Sequence, residues 1–274
     1  MFSTVAVNGE VTRWEALHLS DFAQGYFFGA GFFTTFRVEA GRPLFLGRHL
    51  RRLARSLAVF SKSVRAPPAE HLREASVRET LRMCLEADAA LGPGFTGVGK
   101  LAASDGQLLL TFRDLPPDTE RLQREGRVID MVIPGAYRRG DSLPNHKGLS
   151  YFRQYSLMAD LPLLGNEAGQ ACELPTANIF VLMGDVLATP PLGAPCLPGI
   201  VRELLLEEGH LDGVPVVEQD LRLTDLVDAR ACVFTNSAAV ATGVTRLLGR
   251  DLPDSLSLAV RVREHIKAMA SREE

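Results

Sequence analysis

Lysine is nearly missing from this chain: Lys62, Lys100, Lys147 and Lys267 stand against 26 arginines in 274 residues. Where a surface needs positive charge the sequence writes arginine, which stays protonated at any working pH. A lysine kept inside the punctuated turn Leu143-Pro-Asn-His-Lys-Gly-Leu-Ser-Tyr151 therefore invites a chemical reason. A desolvated lysine amine can lose its proton and attack a carbonyl; the plain alternative for Lys147 is a solvated loop charge. Cysteine is scarce too. Cys84, Cys172, Cys196 and Cys232 are widely spaced, with no C-x-x-C and no paired histidines. That argues against a zinc site or a disulfide framework and for reduced thiols in a cytoplasmic protein. Long apolar runs are absent, the longest being near Gln107–Phe112 and Ile179–Met183, too short to span a bilayer. The first residues lack a basic stretch followed by a long apolar one, so they do not read as a signal peptide. A net charge of -3 gives no electrostatic case for nucleic acid or an anionic membrane. No G-x-x-x-x-G-K-[ST] occurs, and the glycines at 25, 29 and 31 do not make G-x-G-x-x-G, which removes the P-loop and the dinucleotide fingerprint.

What is present describes a globular chain, 46% hydrophobic and 23% charged, long enough for one large domain or two ordinary ones. Val5–Val11 brackets Asn8-Gly9, the strongest short hairpin cue. Phe32–Val38 reads as a strand after a glycine- and phenylalanine-rich stretch. From Arg48 the apolar period becomes 3.6, with Leu50, Leu53, Leu57 and Phe60 on one stripe, which predicts a helix. A second helix is expected over His71–Ala89, then a hairpin of Val98–Ala103 and Gln107–Arg113 about Ser104-Asp-Gly. Leu115-Pro-Pro-Asp-Thr-Glu120 punctuates the chain. We expect a small α+β domain over 1–114, a linker over 115–121 and a larger, β-rich domain over 122–274. In the latter, Arg127–Ile133 reads as a strand, Leu149–Leu161 as a helix opening at Lys147, and Ile179–Met183 and Val186–Thr189 as strands. A helix from Gly199 to Glu208, a helical Leu221–Asp228, a strand Ala231–Asn236, a small-residue turn and a helix Ser255–Met269 follow.

Three features suit a phosphate. Leu197-Pro-Gly-Ile-Val-Arg202 opens a helix whose free amides and dipole favour an anion. Thr235-Asn-Ser-Ala-Ala239 ends a strand in small residues with hydroxyls. Arg48, Arg51, Arg52 and Arg55 crowd one helix, though such a run reads equally as a solvated face. Glu173, five residues before Asn178, is either a strand-edge charge or the acidic partner that keeps a pyridine nitrogen protonated. Lysine, carboxylate and phosphate cradles together make pyridoxal 5'-phosphate the economical cofactor.

The order and wording of these segments resemble the class IV, fold type IV, pyridoxal-phosphate enzymes: branched-chain and D-amino-acid aminotransferases and aminodeoxychorismate lyase. Gly25–Val38 is similar to the family's glycine-aromatic motif, and His49-Leu-Arg-Arg-Leu53 to its H-x-x-R-L helix, which implies Arg52 on the cofactor phosphate. Lys147 falls at the Schiff-base lysine, Glu173 and Asn178 match E-x-x-x-x-N, and Leu197-Pro-Gly-Ile200 matches the phosphate turn. The resemblance thus implies cofactor contacts from Lys147, Glu173, Asn178, Gly199, the amides of Ile200 and Val201, and Ser237, with Tyr151 a candidate for the phenolic oxygen. It implies a two-domain fold with a β-barrel-like larger domain, and a homodimer.

The chain departs from the pattern at Ala23-Gln24, where Asp-Arg is usual, at Val201, where threonine is usual, and in a short segment between Lys147 and Glu173. Gly31-Phe-Phe-Thr-Thr carries Thr34 where the aminotransferases have glutamate, which is similar to the lyase branch. The fit implies catalytic roles for Lys147 and Thr34 in converting 4-amino-4-deoxychorismate to 4-aminobenzoate and pyruvate, a step of folate biosynthesis. Arg138, Arg139 and Ala238 are candidates for substrate contact; the two arginines read equally as a solvated face. The alternatives are a class IV aminotransferase acting on D- or branched-chain amino acids, and a non-catalytic ligand-binding relative of the fold.

Overall fold

Asn8 and Gly9 both take positive φ (48° and 84°), and the chain folds back there, pairing β1 (Thr4–Val7) antiparallel with β2 (Glu10–Arg13). Asp105 and Gly106 repeat the device at 56° and 82°, joining β5 (Gly97–Ser104) to β6 (Gln107–Arg113). This is the primed turn geometry that matches strand twist. In the computed structural model, which describes residues 2–273, these hairpins belong to a six-stranded sheet. Its order is β2-β1-β6-β5-β3-β4, with β3 at Phe32–Glu39 and β4 at Arg42–Pro43. Helix α1 (Ala23–Phe28) precedes β3, while α2 (Leu46–Val59) and α3 (Glu74–Ala87) follow β4. Phe32, Phe36 and Val38 of β3 share one core with Leu46, Leu50, Leu53 and Leu57 of α2 and Leu81 and Leu85 of α3. Each of those leucines, fully buried, contributes about 2 kcal/mol. The stripe that predicts α2 is correct, but the helix starts at Leu46 and Phe60 caps its end. The helix expected from His71 is a 3-10 turn over Ala69–Leu72 and then α3.

The remaining residues build α4 (Thr119–Glu125), β7 (Arg127–Ile129), β8 (Val132–Tyr137), α5 (Phe152–Ser156), β9 (Leu163–Asn166) and β10 (Ala171–Glu173). They continue with β11 (Asn178–Met183), β12 (Val186–Thr189), α6 (Ile200–Glu208), β13 (His210–Leu211), β14 (Val214–Glu218), β15 (Ala231–Asn236), β16 (Val240–Leu247), β17 (Arg250–Asp251) and α7 (Ser255–Ala270). The β-rich part takes the form of a three-stranded sheet, β10-β9-β8, and an eight-stranded one, β13-β14-β12-β11-β15-β16-β17 with β7 beside β16. Ile179, Val181, Ala188, Cys232, Phe234, Val244 and Leu247 are among the residues of its core.

Two compact units result, one of residues up to Pro116 together with Lys147–Tyr151, the other of Pro117–His146 and Phe152 onward. Residues 119–121, expected in the linker, form the first turn of α4. Lys147–Tyr151, expected in the larger domain, packs with the first unit. The expected helix over Leu149–Leu161 shrinks to the five residues of α5. Its first residues are extended because their backbone is already bonded to β3. Phe33 N–H donates to Lys147 C=O at 2.8 Å and Leu149 N–H to Gly31 C=O at 2.9 Å. The strand expected over Arg127–Ile133 breaks at Asp130, whose carboxylate accepts from Gly249 N–H and pairs with Arg246. The helix expected over Leu221–Asp228 is a 3-10 turn, Asp225–Asp228. Strand β16, read from sequence as part of a small-residue turn, is hidden by its small side chains. Gly243 makes room there for α7, since a Cβ would meet Ser255 C=O at 2.7 Å. Among the described residues no helix is long and apolar enough to cross a membrane.

Candidate functional site

In the first unit, β4 pairs with only Val38 and Glu39 of β3, so the edge at Phe32 and Phe33 is left for another segment. Gly148 bridges to Phe32 there, which lays the lysine turn along the strand. The upstream glycines make this possible by being small. A Cβ on Gly31 would meet Leu149 Cδ1 and Ala103 C=O at 2.6 Å, and one on Gly29 would meet the Ser150 backbone at 2.8 Å. Gly29 also closes α1 in the left-handed region, at φ 63°, where glycine is strain-free. The glycine-aromatic stretch thus exists to seat the lysine turn.

Lys147 is partly buried, with Nζ 4.8 Å from the Phe33 ring centroid and 5.1 Å from that of Tyr151. Nζ donates to the Tyr151 hydroxyl at 3.4 Å, and the two rings meet edge to face at 5.2 Å. Beneath lies a buried polar trio. Arg52 Nη2 donates to Thr34 Oγ1 at 2.9 Å, and Thr34 Oγ1 lies 2.7 Å from His49 Nδ1. Burial, then the charges of Arg52 and Lys147, hold the His49 imidazole well below the usual histidine range, so it is neutral.

In the second unit the centre is Glu173, buried at the end of β10. Its carboxylate accepts from the Tyr137 hydroxyl at 3.0 Å and from Leu197 N–H at 2.8 Å. Burial, and then the adjacent Glu173 charge, push the Tyr137 hydroxyl above the ordinary phenol value, so it remains a donor. Asn178 Nδ2 donates to Leu197 C=O at 2.7 Å. Glu173 and Asn178 therefore hold Leu197 from both its N–H and its C=O, and this fixes the turn that leads into α6. Gly199 caps α6 with no side-chain bond, at an ordinary φ of -71°, so no N-cap side chain occupies the first-turn amides. The glycine is there for space, because a Cβ would fall well inside 3.0 Å of Asn178 Oδ1. Ile200 and Val201 are buried. On neighbouring β15, Thr235 pairs in register with Asn178. Its buried hydroxyl has no hydrogen-bond partner among the described residues. Ser237 and Ala238 follow in a turn held by Asn236 Oδ1, which accepts from Ala238 and Ala239 N–H.

Each unit thus brings together part of the predicted set: Thr34, Arg52, Lys147 and Tyr151 in one, Glu173, Asn178, Gly199, Ile200, Val201, Ser237 and Ala238 in the other. Arg139 is engaged elsewhere, its N–H on Glu167 and its guanidinium 3.5 Å from Asp220, while Arg138 is exposed. Sequence reading passed over Tyr137, Phe33 and the role of His49, and it named Thr235 only within the hydroxyl-bearing strand end. His49 stands inside the H-x-x-R-L motif and was findable; Tyr137 meets Glu173 across 36 residues and has no local signal. Chemically, an amine beside two aromatic faces can attack a carbonyl, a buried carboxylate can hold a protonated ring nitrogen, and an uncapped helix start with adjacent hydroxyls can hold an anion.

Comparison with known proteins identifies the family and the fold. The model of the amino-transferase class IV family matches residues 31–247. Aminodeoxychorismate lyase of Bacillus subtilis (strain 168) is 25% identical over 256 residues, covering 89% of this chain and 86% of its own. A putative branched-chain-amino-acid aminotransferase of Methanocaldococcus jannaschii is 27% identical over 262 residues, covering 90% and 88%. Among solved structures, the fold IV-transaminase CpuTA1 of Curtobacterium pusillum superposes with a TM-score of 0.80 at 20% identity, over 97% of this chain and 99% of its own. The chain belongs to the amino-transferase class IV family, whose cofactor is pyridoxal phosphate, and it has the fold type IV architecture.

Proposed function

We propose that this protein is a pyridoxal-phosphate lyase that converts 4-amino-4-deoxychorismate to 4-aminobenzoate and pyruvate. The residues fit the cofactor on three counts. The Glu173 carboxylate is buried and held by two donors, the acidic partner a pyridinium needs. No side chain caps the start of α6, and Thr235 keeps a buried hydroxyl unspent. Pyridoxal phosphate, when bound, supplies a protonated pyridine ring that withdraws electrons from the reacting carbon. Glu173 would keep that ring nitrogen protonated, with its carboxylate aimed by the Tyr137 hydroxyl and Leu197 N–H. Arg52, the amides of Ile200 and Val201, and Ser237 would hold the phosphate. Lys147 would carry the protons, taking one from the substrate ring carbon and returning one to the departing three-carbon fragment. The Phe33 and Tyr151 rings flank its amine and would orient it.

Thr34 is the sequence feature on which the lyase reading rests. A glutamate here would put a carboxylate against Arg52; threonine supplies a neutral hydroxyl instead. The match to the Bacillus subtilis lyase over 89% of the chain supports the same choice. Amino transfer to a 2-oxo acid is the second reading, favoured by the likeness to the archaeal aminotransferase. A homodimer forms part of the proposal, since Tyr26, Phe27 and Phe28 on α1 are all about two-thirds exposed or more, an apolar patch suited to a second copy. The four free, buried thiols accord with a reducing cytoplasm.

Purified protein supplied with pyridoxal phosphate should show an imine absorbance band that Lys147→Ala abolishes. It should release pyruvate from aminodeoxychorismate and form no glutamate from amino acids with 2-oxoglutarate. Glutamate without pyruvate would establish the aminotransferase reading, and absence of the band would overturn both.

A further inference from the structure

The Thr34, His49 and Arg52 side chains meet inside an apolar interface. Thr34 lies on the same face of β3 as Phe32, Phe36 and Val38, which share a core with Leu46, Leu50, Leu53 and Leu57 of α2. His49 and Arg52 are one turn apart on α2 and so project from the same face. Exposures are 0% for Thr34, 1% for His49 and 8% for Arg52. Burying three polar groups in a leucine-lined interface is unfavourable unless they satisfy one another.

Their donor and acceptor inventory leaves one arrangement. A guanidinium only donates, so Thr34 Oγ1 accepts from Arg52 Nη2 at 2.9 Å. The hydroxyl has one proton of its own, and the group at 2.7 Å is His49 Nδ1. If Nδ1 also carried a proton, Oγ1 would accept twice and its own proton would be stranded in a buried site. Nδ1 must therefore be the acceptor, which puts the imidazole proton on Nε2. The polarity runs Arg52 to Thr34 to His49, and it fixes one edge of the Arg52 fork while the guanidinium keeps its full charge.

We propose that Thr34 and His49 are positioning residues that aim the Arg52 guanidinium at the cofactor phosphate, and that Thr34 acts through Arg52 without touching the reacting atoms. This rests on the reading that Arg52 binds the phosphate of pyridoxal phosphate, and the test separates the two claims.

Dissociation constants for pyridoxal phosphate and for pyridoxal, which lacks the phosphate, give a ratio that reports the phosphate contact alone. Arg52→Gln should collapse that ratio; if it leaves the ratio unchanged, the cofactor reading itself fails. Given that collapse, Thr34→Val should reduce the ratio roughly tenfold, the scale of one lost hydrogen bond to a charged group. Thr34→Ser should keep it, and the KM for the amine substrate should not move. His49→Leu should behave like Thr34→Val, whereas His49→Asn, which keeps an acceptor near the Nδ1 position, should rescue most of the ratio. An unchanged ratio in Thr34→Val, with KM for the amine raised instead, would overturn the positioning role and return Thr34 to the substrate. One readout needs no variant to fold: the 15N spectrum of histidine-labelled wild-type protein should show His49 with bare Nδ1 and protonated Nε2. The opposite tautomer overturns the proposal.

Discussion

Gly199→Ala tests whether the start of α6 is shaped by side-chain room. At φ -71° and ψ 146° the backbone would accept any residue, so conformational freedom predicts almost no effect. Space predicts a large one. The new Cβ would fall well inside 3.0 Å of Asn178 Oδ1, with Asn178 Cγ at 3.3 Å and Arg202 Cβ at 3.8 Å. Asn178 has little freedom to retreat, being 4% exposed and bonded through Nδ2 to Leu197 C=O at 2.7 Å. Overpacking of this kind costs about 1–3 kcal/mol, and losing the Asn178 bond adds about 1 kcal/mol. The variant should be less stable by roughly 2–4 kcal/mol, read as a fall in Tm on the order of 5–10 °C. A double-mutant cycle locates the cause. Asn178→Ala alone should cost about 1–2 kcal/mol, and in Gly199→Ala/Asn178→Ala the clash has no partner. The double variant should therefore be no less stable than Asn178→Ala within about 0.5 kcal/mol. Additive costs in urea unfolding, or a single variant within about 0.5 kcal/mol of wild type, would refute the steric account.

Glu173→Gln keeps the shape of the side chain, so stability should change by no more than about 1–2 kcal/mol. Turnover should fall between about tenfold and a thousandfold, because an opposite charge at this range is worth roughly 1–3 pKa units to a ring nitrogen; unaltered kcat would exclude Glu173 from the cofactor. Tyr137→Phe removes a buried hydroxyl donor to that carboxylate and should cost about 1.5–3 kcal/mol in urea unfolding. His49 gives a pH dependence with a definite sign. Burial first, then Arg52 and Lys147, lower its native proton affinity, whereas in the unfolded chain it protonates near about pH 6.5. Over that window the unfolded state binds the extra proton, so His49's contribution is fully present above about pH 6.5 and is lost as pH falls toward the lowered native value. The slope reaches about 1.4 kcal/mol per pH unit. His49→Asn cannot titrate and should lack that part of the acid limb; identical slopes in both proteins would contradict a buried neutral His49.

Much of this was legible because local chemistry and spacing coincide. The two glycine-bearing hairpins, the leucine stripe of α2 and the Gly199 helix start are each written within a dozen residues, and each formed where expected or within two residues. What failed was decided at long range. Leu149–Leu161 has residues a helix would accept, but the Lys147 and Leu149 backbone is claimed by Phe33 and Gly31 more than a hundred positions away. Strand β16 looks like a loop because small residues at Ala241 and Gly243 serve the packing of α7, and that requirement has no signature of its own. Glu173 was readable as a motif position. Its two donors, Tyr137 and Leu197, were not, because neither is near it in sequence.

Lysine rarity carries further than the turn that first drew attention. Two of the four lysines lie on one ring: Lys100 Nζ is 4.3 Å from the Phe33 centroid and Lys147 Nζ 4.8 Å. Lys100 comes from β5, opposite Thr35, and desolvation followed by the charge of Arg113 lowers its proton affinity. An arginine at either position would hold its charge regardless of burial and spread it over a flat fork. A lysine keeps the charge compact and its proton movable, which is what a group facing an aromatic wall needs in order to work as an amine. Lys62 and Lys267 are exposed, so it is Lys100 and Lys147 that stand apart, each set against the Phe33 ring. Positive charge that stays fixed at any working pH is arginine, as at the buried Arg52 and Arg202, whereas a lysine amine can give up its proton when desolvated.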